Sequence, residues 1–201
     1  MPRLPTVAAE PEGLVYEPDF LSEEEERRLV EVVEELQFSE VRMRGQTARR
    51  TVVHFGYRYD YESWGLTPAD PLPATLAGLR DRAGALVDVD PELFVETLVT
   101  RYPPGAGIGW HRDAPLFGPK VVGVSLLSAC SMRFQRRTAT VRTTHAMDLA
   151  PRSAYALTGP ARWSWQHSIP AAAGLRYSVT CRTLAAPRAG RSSAPRPPEG
   201  G

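Results

Sequence analysis

The pattern of apolar and polar positions predicts helices in the first half of the chain. Ser22 precedes an acidic run and has Glu25 three positions later, which is the arrangement of a capping box at a helix start. The apolar residues that follow recur at helical spacing: Leu29, Val32, Val33 and Leu36. A second helical pattern covers residues 73–87, with apolar residues on one side: Leu76, Leu79, Ala83 and Leu86. We therefore expect two amphipathic helices before the middle of the chain.

From Phe94 onward the pattern changes to short strands separated by turns rich in Pro, Gly and Ser. The predicted strands are "LFVETLVTRY", "KVVGVSLL", "SMRFQRR", "TATVRTT", "SAYALTG" and "LRYSVTCRTL". Helices followed by many short strands are typical of an α+β protein that is mainly β. We predict an antiparallel sandwich or jelly roll that carries the N-terminal helices on one face.

Composition limits the protein to one domain and excludes a strong overall attraction to polyanions. The chain has 201 residues, 42% of them hydrophobic, and 24 basic against 23 acidic side chains for a net charge of +1. Binding of nucleic acid would therefore need a local basic patch. The two cysteines, Cys130 and Cys181, do not form a disulfide framework, and we expect a reduced, cytoplasmic protein. No apolar run is long enough to span a membrane. We also expect the protein to be a monomer.

Both ends of the chain contain several Pro and Gly residues. We expect residues 1–13 to be a flexible N-terminus and residues 14–185 to form the folded domain. The remaining residues, 186–201, are rich in Pro, Gly, Ser and Arg, and they cannot bury enough apolar surface to offset the entropy of ordering. We therefore predict a disordered tail there.

The stretch "GIGWHRDAP" contains a candidate metal-binding pair. His111 and Asp113 are two positions apart, so in an extended segment both side chains point to the same side. His167, just before the last predicted strand, could supply a third ligand. Two histidines and one carboxylate form the facial triad of non-haem Fe(II) oxygenases. A surface role for His-x-Asp remains the alternative, because this pair alone is a weak signal.

Two arginines in the last predicted strand raise the weight of the metal hypothesis. Arg176 and Arg182 have the same parity, so both guanidinium groups face one way if the strand is regular. Two inward-facing arginines are costly unless each meets an anion. A dicarboxylate bound beside a metal would provide both partners. Acidic side chains of the protein are the alternative partners.

With these residues in view, the chain resembles the AlkB-type Fe(II)/2-oxoglutarate dioxygenases. The resemblance rests on "RYPPGAGIGWHRD", "SAYALTGPARWSWQHSI" and "RYSVTCR" in that order, and on the upstream "RRTVVHFGYRYDYE" with "PLPATL". It covers residues 14–185 and implies a double-stranded β-helix (jelly roll) with Fe(II), the co-substrate 2-oxoglutarate and O2. The upstream segment is similar to the branch of the family that includes tRNA-modifying members.

The resemblance also implies a role for individual residues. It makes His111, Asp113 and His167 the catalytic iron ligands. It places the 2-oxoglutarate contacts at five positions, of which Arg176 and Tyr102 hold the distal carboxylate: Arg176, Arg182, Tyr102, Ser178 and Thr100. It places substrate contacts in the upstream segment and at the mouth of the pocket: Tyr57, Tyr59, Arg162 and Trp165.

The chain departs from the family pattern at two positions. Thr100 stands where the family has an asparagine, which replaces an amide near the co-substrate by a hydroxyl. Pro115 stands where the bacterial repair enzyme has an acidic residue that helps to read the damaged base. The first departure concerns one co-substrate contact, and the second concerns the identity of the substrate.

The segment "HFGYRYDYESW" is the candidate substrate-binding region. Tyr57, Tyr59 and Tyr61 alternate and would share a face in a strand, with three arginines nearby: Arg49, Arg50 and Arg58. Aromatic and basic side chains together suit base stacking and phosphate contacts in single-stranded DNA or RNA. A half-buried hairpin that packs its tyrosines on the barrel is the equal alternative.

The resemblance implies that 2-oxoglutarate and O2 are converted to succinate and CO2 while a substrate C–H bond is hydroxylated. If that bond belongs to an N-methyl group, formaldehyde and the free amine follow. We therefore predict an enzyme that demethylates or hydroxylates a modified base in DNA, RNA or tRNA. The same chemistry on a protein side chain or small molecule is the alternative, and a binding module that lost catalysis is a third hypothesis.

Overall fold

The computed structural model describes residues 4–43, 45–60 and 65–185. Its α-helices are α1 (Glu23–Glu34), α2 (Ala74–Leu86) and α3 (Gly159–Trp163), and a 3₁₀ turn covers Pro91–Leu93. Its strands are β1 (Thr6–Ala8), β2 (Leu14–Glu17), β3 (Ser39–Met43), β4 (Gln46–Asp60), β5 (Gly65–Pro68), β6 (Phe94–Tyr102), β7 (Ile108–His111), β8 (Phe117–Leu127), β9 (Cys130–Arg137), β10 (Arg142–Leu149), β11 (Ala154–Leu157), β12 (Gln166–Ile169) and β13 (Arg176–Leu184).

The strands form two sheets, which confirms the predicted α+β, mainly β, jelly roll. The larger sheet has the order β2-β11-β8-β13-β6-β4-β3, with β5 paired to β4. The smaller sheet has the order β1-β10-β9-β12-β7. In the larger sheet β13 lies between β8 and β6, and in the smaller sheet β12 lies between β9 and β7. The central strand β13 carries Arg176, Ser178 and Arg182, and the central strand β12 carries His167.

The two predicted helices are present and pack on the larger sheet. The capping box at α1 is complete, since the Glu25 amide donates to the Ser22 hydroxyl at 3.2 Å and the Ser22 amide donates to the Glu25 carboxylate at 2.7 Å. The buried side chains of both helices join one apolar cluster with β6, β8 and β13; its members include Leu29, Val33, Leu76, Leu79, Val99, Val124 and Val179. The helices therefore cover one face of the larger sheet, and the other face is free to meet the smaller sheet.

Part of the segment predicted to be a flexible N-terminus, residues 1–13, is a strand, and residues 1–3 lie outside the described residues. Residues Thr6–Ala8 pair in parallel with Arg142–Thr144 at the edge of the smaller sheet. Pairing at the sheet edge satisfies the backbone N–H and C=O groups of this segment, although its side chains gave no reason to expect an ordered strand. The predicted tail, 186–201, lies outside the described residues and stays a prediction.

The predicted strand "TATVRTT" is shifted along the chain. Its first half forms a turn, in which the Thr138 amide donates to the Val141 carbonyl at 2.9 Å. The strand begins at Arg142 and continues to Leu149, paired with β9. The Thr138 hydroxyl accepts from the Val141 amide at 3.1 Å and so stabilises the turn. Within the described residues, no helix is long and apolar enough to cross a membrane.

Candidate active site

The two histidines proposed as metal ligands face each other across neighbouring strands. His167 of β12 is the register partner of His111 of β7, and their ring centroids are 4.3 Å apart. The His111 Nδ1 lies 2.9 Å from the Gly109 carbonyl oxygen, which can only accept a hydrogen bond. Nδ1 therefore carries the proton, and the lone pair of a neutral His111 is on Nε2. This is the tautomer that presents one free nitrogen to an ion.

Asp113 completes the set from the segment that follows β7. Its Oδ2 lies 3.8 Å from the His167 Nε2, and its side chain is buried. Two imidazoles and one carboxylate are the donor types that suit non-haem Fe(II). Among the described residues, no group of three or more His, Cys, Asp or Glu side chains already has the spacing of a metal cage. The donors here form two contacting pairs that share His167, so the donor chemistry fits iron and the spacing would have to tighten around it.

The electrostatics of these three side chains give the protonation states that metal ligation needs. Burial and, after it, the neighbouring His111 lower the pKa of His167 to about 3. Burial also lowers the pKa of His111. Burial alone would raise the pKa of Asp113, but the Arg182 guanidinium and then the two imidazoles outweigh it and hold that pKa below its usual range. At neutral pH both imidazoles are neutral and the carboxylate is ionised, as ligands must be.

Arg176 is a buried cation without an anionic partner. It is 0% exposed, and its Nη2 donates to the Ser125 hydroxyl at 2.8 Å. Its Nε and Nη1 have no hydrogen-bond partner within the described residues. Its guanidinium carbon lies 5.1 Å from the centre of the Tyr102 ring. A buried guanidinium with two unpartnered donors favours an anionic ligand, so this arginine suits the distal carboxylate of 2-oxoglutarate.

The remaining predicted co-substrate residues surround Arg176 on neighbouring strands. Tyr102 is the register partner of Arg176, and Thr100 is that of Ser178. Tyr102, Thr100 and Ser178 line one large cavity, whereas the fully buried Arg176 does not itself line it. The structure thus brings four of the five predicted co-substrate residues into one wall.

The fifth, Arg182, is already paired with acidic side chains. Its Nε and Nη2 both lie 2.7 Å from Asp113 Oδ1, and its Nη1 lies 2.6 Å from Glu96 Oε2. Of the two partners expected from the sequence, the acidic side chains of the protein are found at Arg182, and a bound dicarboxylate stays a prediction for Arg176. Arg182 meets protein carboxylates, and Arg176 meets none among the described residues.

The cavity lies between the two sheets and has a volume of about 580 Å³. It reaches from the His111, Asp113 and His167 cluster to side chains of β4. Four arginines besides Arg182 line it: Arg42, Arg50, Arg58 and Arg112. This volume is within the range of small-molecule and cofactor pockets. Carboxylates line it as well, including Glu40 and Asp70, so the basic side chains of the cavity stand beside acidic ones.

The tyrosines of the candidate substrate segment do not share one environment. Tyr59 is 8% exposed, lines the cavity and packs on Phe117 with ring centroids 6.4 Å apart. Tyr57 is 41% exposed and does not line the cavity, although it has the same parity as Tyr59 on β4. Tyr61 lies outside the described residues. Equal parity on a strand did not ensure equal burial, because only Tyr59 has an aromatic partner from β8.

Arg162 and Trp165 do not line the cavity, which corrects the expectation that they sit at its mouth. The buried Arg162 guanidinium of α3 donates to four backbone carbonyls at 2.9–3.3 Å: Asp113, Ala114, Phe117 and Gly118. Trp165 is buried in an apolar cluster with Phe134 and Leu149. Arg162 therefore fixes the backbone of the segment that carries Asp113, and Trp165 packs the core.

Sequence reasoning missed Glu96 and His54. Glu96 Oε1 lies 2.9 Å from His54 Nδ1, and both residues line the cavity. The contact joins two strands across 42 positions, so no local spacing predicted it. One signal was available, because Glu96 has the parity of Thr100 and Tyr102 on β6. An acidic residue on the inward face of an apolar strand indicates a buried partner.

The comparison with protein-family models decides the class of this site. The model of the 2OG-Fe(II) oxygenase superfamily matches residues 13–182. The chain belongs to this superfamily. The match includes all residues proposed above to hold iron and 2-oxoglutarate.

Similar proteins confirm the resemblance to AlkB-type enzymes. The mouse tRNA (carboxymethyluridine(34)-5-O)-methyltransferase ALKBH8 is 30% identical over 167 residues, which are 79% of this chain and 24% of that protein. Its *Xenopus tropicalis* counterpart is 28% identical over 166 residues, 79% of this chain and 25% of that protein. The alkylated DNA repair protein ALKBH8 homolog of *Arabidopsis thaliana* is 27% identical over 181 residues, 79% of this chain and 51% of that protein. This 2OG-Fe(II) oxygenase thus spans about a quarter of the two vertebrate relatives.

A solved structure supports the fold independently. The structure of OsALKBH1 matches with a TM-score of 0.68 at 15% identity, over 87% of this chain and 98% of that one. At this identity the likeness shows the jelly roll and not the substrate. The family model therefore shows the superfamily, and this structure shows the fold.

Proposed function

We propose that this oxygenase uses Fe(II), 2-oxoglutarate and O2 to demethylate or hydroxylate a modified base in single-stranded DNA or RNA. The observation that carries the co-substrate is the buried Arg176 guanidinium, whose Nε and Nη1 lack partners among the described residues. A dicarboxylate that reached it would relieve the cost of a buried unpaired cation. The histidine and aspartate cluster on the facing sheet supports a metal beside it.

The residues that would hold iron are His111, Asp113 and His167, and the metal would supply oxidative decarboxylation of 2-oxoglutarate coupled to hydroxylation of a substrate C–H bond. Arg176 would bind the distal carboxylate, with Tyr102 donating its hydroxyl proton to the same group. Burial raises the pKa of Tyr102, so its hydroxyl keeps that proton at neutral pH. Ser178 and Thr100 would contribute hydroxyl groups to the same wall.

The substrate end of the cavity supports a nucleic-acid base. Arg50 and Arg58 of β4, Arg112 after β7 and the Tyr59 ring all line the cavity. Guanidinium groups bind phosphates, and an aromatic ring provides a surface on which a base stacks. Relatives described as a tRNA methyltransferase, an alkylated DNA repair homolog and a probable RNA/DNA demethylase agree with this class.

We further propose that the enzyme acts as a monomer in the cytoplasm. Both cysteines are free thiols, Cys181 in the core and Cys130 partly exposed. A free thiol that is partly exposed is compatible with a reducing compartment.

The test is succinate release by the iron-loaded protein in the presence of methylated single-stranded DNA, RNA and tRNA. We expect one of these to raise succinate formation above the rate with the same polymer lacking methyl groups, with an equal yield of formaldehyde from N-methyl groups. Asp113→Asn is the control that removes the ionised ligand. If no nucleic acid stimulates turnover and a protein fraction or small molecule does, the substrate assignment is wrong and the chemistry stands.

A further inference from the structure

We infer that Glu96 is a positioning residue for the iron site, acting through Arg182 on Asp113. The three side chains form one buried series of contacts. Glu96 Oε2 accepts from Arg182 Nη1 at 2.6 Å, and Arg182 Nε and Nη2 lie 2.7 Å from Asp113 Oδ1. This inference rests on the proposed function, because it concerns how the proposed ligand Asp113 is held.

Glu96 is buried in β6, where an ionised carboxylate destabilises the fold unless ion pairs or hydrogen bonds compensate for its lost hydration. Its side chain is 1% exposed, and it lies between Val95 and Thr97 in β6. It stands opposite Arg182 in the register of β6 and β13. Its other oxygen, Oε1, lies 2.9 Å from His54 Nδ1. Both oxygens are therefore fixed, and a carboxylate fixed at both ends holds the guanidinium that it contacts in one orientation.

The orientation of Arg182 determines how much of Asp113 is available to a metal. A free guanidinium binds a carboxylate with two parallel hydrogen bonds, one to each oxygen. In this structure Nη1 is held by Glu96, and both remaining contacts converge on Oδ1 alone. Oδ2 instead points towards His167, 3.8 Å from its Nε2. Glu96 thus holds the guanidinium at the position from which Nε and Nη2 both meet Oδ1, which leaves Oδ2 to bind iron together with the imidazoles.

The test measures metal binding and not turnover. Mn(II) binding to the wild type and to Glu96→Gln is measured without oxygen or co-substrate, by titration calorimetry or by the electron spin resonance of free Mn(II). Removing a charge that helps to hold a metal ligand in place weakens metal affinity by roughly 10- to 100-fold, and we expect this loss here. Glu31→Gln on the exposed face of α1 is the matched control and should leave Mn(II) affinity unchanged. A folded Glu96→Gln protein with wild-type Mn(II) affinity would overturn the inference.

A second comparison separates positioning from a general structural effect and remains informative if Glu96→Gln does not fold. Arg182→Met removes the guanidinium that competes with the metal for Asp113. The double variant Glu96→Gln/Arg182→Met removes both members of the Glu96–Arg182 ion pair. We expect the double variant to bind Mn(II) as tightly as Arg182→Met alone. A further loss of about 10-fold on adding Glu96→Gln would show that Glu96 does not act through Arg182.

The outcomes also distinguish this inference from the proposed function. If wild-type protein binds no Mn(II), the metal site itself is wrong. If the wild type binds Mn(II) and depends on Asp113, while Glu96→Gln binds it equally well, only the role of Glu96 is wrong.

Discussion

At the scale of single residues, the two arginines of β13 differ in what surrounds them. Arg182 has two carboxylates within hydrogen-bond distance, and these raise its pKa against the effect of burial. Arg176 has the Ser125 hydroxyl and the face of Tyr102, with no carboxylate in hydrogen-bond contact among the described residues. A buried unpaired cation opposes folding, so Arg176 is explained by a ligand better than by stability.

Arg176→Met should therefore change stability and co-substrate binding in opposite directions. Without ligand, the melting temperature should stay equal or rise, because a buried cation is replaced by an apolar side chain of similar length. With Mn(II), the affinity for 2-oxoglutarate should fall by roughly 100-fold, as when a buried charged partner is removed. Thermal unfolding with and without 2-oxoglutarate measures both effects.

Arg101→Leu is the matched control for this change, since Arg101 is exposed on the strand that pairs with β13. It should leave the response to 2-oxoglutarate unchanged. A large fall in the ligand-free melting temperature of Arg176→Met, with 2-oxoglutarate still bound, would mean that Arg176 is structural.

At the scale of elements, the segment between β7 and β8 depends on α3. Arg162 donates to the Asp113 and Ala114 carbonyls of this segment and to the Phe117 and Gly118 carbonyls at the start of β8, so the short helix fixes the backbone that presents the proposed ligand. A single side chain thus ties the segment to the first residues of β8. Its effect on the site should be indirect.

Arg162→Met should destabilise the protein rather than affect a substrate. Four buried carbonyls would lose their donor, and we expect the free energy of unfolding to fall by about 3 kcal/mol. Mn(II) affinity should fall as well, because Asp113 is less constrained. Chemical denaturation and a Mn(II) titration measure the two effects. Unchanged stability together with an altered KM for a nucleic-acid substrate would instead support the original assignment to the pocket mouth.

Sequence periodicity predicted the elements well where a single local rule decides the structure. The capping box at Ser22 and Glu25 formed as expected, and the parity of Arg176 and Arg182 placed both on the inward side of β13. The residues that were missed or misplaced depend on tertiary pairing. The contact of His54 with Glu96 and the bonds of Arg162 to the segment after β7 join distant strands and loops, and no local spacing encodes them. Tyr57 and Tyr59 differ for the same reason.

At the scale of the whole molecule, the jelly roll brings acidic and basic side chains close together. Two sheets enclose one cavity that contains imidazoles, carboxylates and guanidinium groups. Burial keeps the histidines neutral, and the Arg182 guanidinium keeps the aspartate charged, in the absence of metal. This arrangement makes the stability of the metal-free protein depend on pH.

The metal-free protein should lose stability as the pH falls below about 6.5. The ordinary pKa of histidine is 6.5, and that of the folded His167 is about 3. Between these values the unfolded chain binds a proton that the folded protein does not, so the free energy of unfolding rises with pH at up to about 1.4 kcal/mol per unit. Asp113 contributes with the same sign at lower pH, because its pKa is also lowered.

Denaturation in a chelator at a series of pH values measures this slope, and His167→Gln should make it shallower. If the slope of His167→Gln equals that of the wild type, His167 is not the group responsible.

The central claim is that iron and 2-oxoglutarate share one site made by the two sheets. Calorimetric titration of 2-oxoglutarate into the protein, with and without Mn(II) and in the absence of oxygen, tests it most directly. We predict tight binding of 2-oxoglutarate only when Mn(II) is present, and loss of this dependence in His111→Ala, which removes a proposed ligand. Binding of 2-oxoglutarate that is equally tight without metal, or unaffected by His111→Ala, would contradict the account.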